Sequence, residues 1–163
     1  MKKVIFCLLI SFFLSSNAFS NQISIVDVTF LLKNSNKGKS IQKELDSLNS
    51  KNLKLYSEKK KKLEIKEKKI ASKKNILSKE DFNNEVLKFR EEVSNYEKER
   101  QKSAQKINNI KVNKIAKLLA EINKILVDYS SKNSISTIID KKNVIITKQD
   151  NDITKEILKI LNN

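Results

Sequence analysis

Apolar positions repeat with a coiled-coil period through the middle of the chain and gather in short β-branched runs at its two ends. Phe82, Val86, Phe89, Val93 and Tyr96 are spaced 4, 3, 4 and 3 residues apart, which puts them on one seam of a helix that faces another helix. Ile41, Leu45, Leu48, Asn52 and Leu55 show the same spacing earlier in the chain. After them Tyr56, Leu63, Ile70 and Leu77 come only once in seven residues. A buried Leu or Ile contributes about 1.5–3 kcal/mol, so a seam that loses half of them predicts an outer arm that bends and frays more readily than its base. From Ile107 through Ile115, Leu118, Leu119, Ile122, Ile125, Leu126 and Tyr129 the apolar face widens, as expected of a helix entering a larger core.

Residues 39–132 contain neither Gly nor Pro, and strong helix formers dominate them. As one helix they would reach about 140 Å at 1.5 Å per residue, so the chain must fold back. Ser78, followed by Lys79, Glu80 and Asp81, has the form of a helix N-cap with acid in the first turn. This places the reversal near 72–78, with helical legs at 39–74 and 79–132.

The ends read differently. Residues 23–32, ISIVDVTFLL, predict a short buried strand running into a turn of helix, and 34–38 predict a break. Residues 135–139 and 144–147 read as a β-hairpin joined by 140–143. Asn151 or Asp152 is placed to cap a short amphipathic helix bearing Ile153, Ile157, Leu158, Ile160 and Leu161. The fold class is α+β: a discontinuous β-rich body, 21–38 plus 115–163, with a long antiparallel helical-hairpin arm at 39–114. Three short strands leave open edges, and a body of about 60 residues buries too little surface to stand securely alone. Self-association is therefore expected, through Ile23, Ile25, Val26, Val28, Ile138, Ile139, Val144, Ile145 and Ile146.

Composition narrows the function. The 163 residues include no His, one Gly, no Pro and a single Cys, which excludes His-dependent triads and His-containing zinc sites. Residues 1–20 have the form of an export signal: Lys2 and Lys3, an apolar run over 4–14, then Ala18 and Ser20 before a cleavage point at Asn21. That run is too short for a bilayer span, which needs about 20 residues. Cys7 lies near the start of the apolar run, away from a lipid-attachment position, and the processed chain has neither disulfide nor thiol chemistry.

The formal charge is +15, from 34 basic and 19 acidic residues. Residues 51–79 alone carry 12 Lys against Glu58, Glu64 and Glu67. The run Lys59, Lys60, Lys61, Lys62, followed by Lys66, Lys68, Lys69, Lys73 and Lys74, is read as wrapping around its helix. Arg90 and Arg100 are the only arginines, which disfavours base-specific readout; phosphate binding stays chemically open, although export separates the chain from nucleic acid. Gly38, Lys39 and Ser40 mimic the end of a phosphate loop, but Lys33 stands where its first Gly belongs, so no nucleotide is expected. Scattered acids at helical spacing from Lys are surface charges rather than catalytic carboxylates. No enzyme activity, cofactor or metal is expected. Two competing readings are a histone-like nucleic-acid binder and a client-free structural coiled coil of the envelope.

The order of these pieces resembles the Skp/OmpH family of periplasmic chaperones: the exported ISIVDVTFLL strand, NSNKGKSIQKELDSL, the basic helical middle, STIIDKKNVIIT and the terminal DITKEILKIL. The resemblance covers residues 23–161. It implies a periplasmic homotrimer whose helical arms enclose a cavity and hold unfolded outer-membrane proteins without ATP. It also implies anionic lipid or lipopolysaccharide as a further partner, for which it assigns no residue on this Lys-rich arm. On this reading the nine lysines from Lys59 to Lys74 attract clients, and Tyr56, Leu63, Ile70, Ile76, Leu77, Phe82 and Phe89 are candidates for the apolar contacts, several of them sharing the hairpin seam.

Overall fold

A computed structural model describes residues 22–163; the export signal and the cleavage point at Asn21 lie outside the described residues. The order is β1 (Gln22–Val26), α1 (Val28–Asn34), α2 (Asn36–Ser72), α3 (Lys79–Lys132), β2 (Ile135–Asp140), single 3-10 turns at Lys141–Asn143 and Gln149–Asn151, and α4 (Thr154–Asn162). Among the described residues no helix is long and apolar enough to cross a membrane.

Each of the first three helices starts where a side chain can satisfy a free N–H. Asp27 accepts from the Phe30 amide at 2.7 Å, Ser35 from Gly38 at 3.1 Å, and Ser78 from Asp81 at 3.1 Å. The Ser78 cap is the one its sequence predicts. The expected break at 34–38 shrinks to Ser35 alone, because Ser35 ends α1 and caps α2 at once. Gly38 is buried in the first turn of α2, where an added Cβ would lie 1.8 Å from the Leu32 carbonyl oxygen.

β1 and β2 pair in parallel, with Ile23 opposite Thr137 and Ile25 opposite Ile139. A parallel pair needs a crossover connection, and here the whole helical hairpin is that crossover. The β-hairpin expected over 135–147 does not form. Residues 140–143 wind into a right-handed 3-10 turn capped by Asp140, and β2 takes β1 as its partner instead. Ser134, with φ of 53°, lies just past α3 and releases the chain into β2. Residues 144–148 then run without helix or strand, so two strands are present where three were expected.

The core gathers Val26, Leu31, Leu118, Ile122, Ile135, Ile153, Ile157 and Leu161 from both strands, from α1, α3 and α4, and from the residue before α4. Helix α4 presents Ile157 and Leu161 inward and is tied to the other chain end. Asp27 donates its amide to the Thr154 hydroxyl at 2.9 Å, and Asp152 accepts from the Thr154 amide at 3.0 Å, although Ile153 takes the N-cap position expected of Asn151 or Asp152. Burial pushes the Asp152 carboxyl up, but its bonds from Lys141 and from the Thr154 hydroxyl and amide outweigh that and hold it below its ordinary value. A depressed carboxyl keeps its proton off in the folded state while the unfolded chain takes one up, so its stabilisation is full at neutral pH and is lost as pH falls below about 4. Thermal unfolding by circular dichroism should therefore drop less steeply from pH 7 to pH 3 in Asp152→Asn than in the parent protein.

Of the residues assigned to self-association, Ile25 and Val26 are buried inside this protomer. Val28, Ile138, Ile139 and Val144 are half-buried, and Ile23, Ile145 and Ile146 are exposed.

Candidate functional site

The arm combines surplus positive charge with exposed apolar side chains. Its two legs are locked in register by five ion pairs along one flank: Lys37–Glu121, Glu44–Lys114, Lys59–Glu99, Lys66–Glu92 and Lys73–Glu85. In every pair the two residue numbers add to 158, the signature of one continuous antiparallel register. From Lys37 to Lys73 is ten turns at about 3.6 residues per turn, so the first and last rungs return to the same side of α2 without net supercoiling. Each exposed pair contributes about 0.2–1 kcal/mol, less than a well-filled apolar layer. The ladder's chief effect is thus to choose the register. Asn52 supports that choice inside the seam, accepting from the Ser103 hydroxyl at 2.7 Å.

Mid-arm, Tyr56 and Tyr96 pack edge to face at 5.9 Å, and the Tyr56 hydroxyl donates to the Glu99 carbonyl at 2.9 Å. The Lys59 ammonium lies 5.5 Å from the Tyr56 ring centre. Its hydrogen bond to Glu99, aided by the Glu99 charge, raises its affinity for a proton against the small cost of burial.

The nine candidate lysines consequently divide. Lys59, Lys66 and Lys73, seven residues apart, are rungs of the ladder, and Lys60 reaches Glu64 on its own helix at 3.6 Å. Lys61, Lys62, Lys68, Lys69 and Lys74 have no carboxylate partner among the described residues and are exposed. Lys61 and Lys68, and Lys62 and Lys69, repeat at seven-residue spacing on the side of α2 away from Tyr56, Leu63 and Ile70. The lysines that were read as encircling the helix are thus sorted into a paired edge and a free back face.

The apolar candidates divide as well. Tyr56 and Ile70 are buried in the seam; Leu63, Leu77, Phe82 and Phe89 are half-buried; Ile76, at the reversal, is 79% exposed. Sequence reasoning passed over Leu53, Ile65 and Leu87, all exposed on the arm; they fall outside both seam series, so no helix partner was available to cover them. Leu55, expected on the seam, is exposed as well, because the neighbouring Tyr56 takes the buried position. Opposite the ladder, the flank opens into a groove of about 420 Å³ whose floor is Leu63, Phe89, Val93 and Tyr96. These parts can hold extended polypeptide by many weak contacts.

The sequence model of a protein family described as outer membrane protein (OmpH-like) matches residues 22–161. No curated protein matches the sequence. Among solved structures, a Caulobacter crescentus CB15 protein described as a putative outer membrane chaperone (OmpH-like) superposes with a TM-score of 0.80 at 13% identity. The match covers 86% of this chain and 83% of that one. At that identity the likeness is one of fold.

Proposed function

The chain belongs to the OmpH-like family of outer membrane proteins, and from that premise we propose that it is a periplasmic, ATP-independent chaperone that holds unfolded outer-membrane proteins. The observation carrying this reading is the free lysine face of α2 set among exposed Leu53, Leu55, Ile65 and Ile76. Positive charge draws acidic chains over about a Debye length, ~10 Å at 0.1 M salt. Scattered apolar side chains then bind them without a fixed sequence. Binding the unfolded state lowers its free concentration, which suppresses aggregation with no nucleotide cycle.

Assembly belongs to the same proposal. The outer edge of β2 has no strand partner among the described residues, and the β-branched 144–147 segment that follows it leaves Ile145 and Ile146 in solvent. Strand addition between copies satisfies both, and the trimer implied by the resemblance gives each arm neighbours with which to enclose a client.

Replacing Lys61, Lys62, Lys68 and Lys69 together with Gln is expected to weaken client capture roughly tenfold at low salt, with helicity and oligomeric mass unchanged. Titration of a denatured, fluorescently labelled β-barrel membrane protein reads this. Undiminished capture by that variant would contradict the role given to the lysine face.

A further inference from the structure

The two flanks of the hairpin are chemically unlike. One is closed by the ladder, and the other is the open groove over Leu63, Phe89, Val93 and Tyr96. Its rim carries Glu64, Glu67 and Glu97 against Lys60 and Arg90. In residues 51–79, where Lys outnumbers acid 12 to 3, two of the three acids stand on this rim. Lys60 and Glu64 engage each other at 3.6 Å, whereas Glu67 and Glu97 have no cationic partner among the described residues. Even counting Arg90, the rim is left with one negative charge in excess, the reverse of the arm around it.

We propose that this groove is a selective subsite for an apolar side chain whose neighbours in the unfolded client are Lys or Arg, with Glu67 and Glu97 as its specificity-determining residues. The proposal rests on the reading that the arm binds unfolded polypeptide. In an extended segment the central apolar side chain enters the floor while long cationic side chains on either side reach the rim carboxylates. Such segments are the ones the free lysine face repels, so the two surfaces divide a client by charge: acidic stretches are held on the back of α2 and cationic-apolar stretches in the groove.

Three extended peptides test this, each with a central Phe flanked on both sides by Lys, Ser or Glu, and titrated against the processed protein by fluorescence anisotropy. The Lys-flanked peptide should bind about fivefold more tightly than the Ser-flanked one, the scale of two exposed ion pairs. In Glu67→Gln/Glu97→Gln that ratio should fall to about one with helical circular dichroism unchanged, since both side chains are exposed and unpaired. No preference for Lys flanks, or a preference that survives the double substitution, would overturn the proposal. A lower light-scattering mass of the double variant would overturn it too, placing the Lys-flanked Ile76 tip of a second copy in the groove. Aggregation assays on the same preparations separate the two levels. Protection of a denatured β-barrel protein without Lys preference refutes only the subsite, and absence of protection refutes client binding itself.

Discussion

Replacing Ile145 and Ile146 together with Asp reduces the protein to single copies in solution while its helical signal is retained. Both side chains are fully exposed in the protomer and touch nothing that holds it together, so the substitution acts on assembly alone. Burying an Ile contributes about 1.5–3 kcal/mol; two per copy, replaced by two carboxylates that would have to lose water, is more than a small interface tolerates. Light-scattering mass reads the result directly. An unchanged mass would move the interface away from this segment. A charge at Ile25 is a poorer test, because that residue is buried in the protomer's own core and its substitution would unfold the body and dissociate it together.

The second large effect is expected at Gly38. An added Cβ meets the backbone of Leu32, its carbonyl oxygen at 1.8 Å and carbon at 2.8 Å, and backbone cannot rotate aside as a side chain does. Either α1 or α2 must shift, and α1 carries Leu31, which is fully buried in the core. Gly38→Ala should therefore cost about 3 kcal/mol, the upper part of the usual range for overpacking, although Ala is the better helix former. Chemical denaturation would show a lowered midpoint. An equal or raised midpoint would mean that the α1–α2 elbow yields.

What the sequence made legible was local. The Ser78 cap and the span of α3 follow from neighbouring residues, and so does the amphipathic end helix, although Ile153 and not Asp152 stands at its N-cap. Pairing over distance was not legible. Residues 135–140 have strand composition whether they turn back on 144–147 or lie beside a strand more than a hundred residues earlier. Gly38 looked like punctuation because its composition says break, while its use is the close approach of two helices. The lysines show the same division. Charge density is visible in composition, but which lysines are committed depends on the register of the two legs. Once that register is known, Lys59, Lys66 and Lys73 facing Glu99, Glu92 and Glu85 can be seen as two seven-residue series running in opposite directions. Tyr56 and Ile70, candidates for client contact, are taken up by the seam they share.

The central claim is that an assembled body carries arms that grip unfolded chains. Diluting a denatured β-barrel membrane protein out of urea with a several-fold molar excess of the processed protein, and following light scattering without nucleotide, tests it most directly. The account predicts scattering held near baseline and a soluble complex of client with the oligomer. Aggregation as fast as in its absence would contradict it.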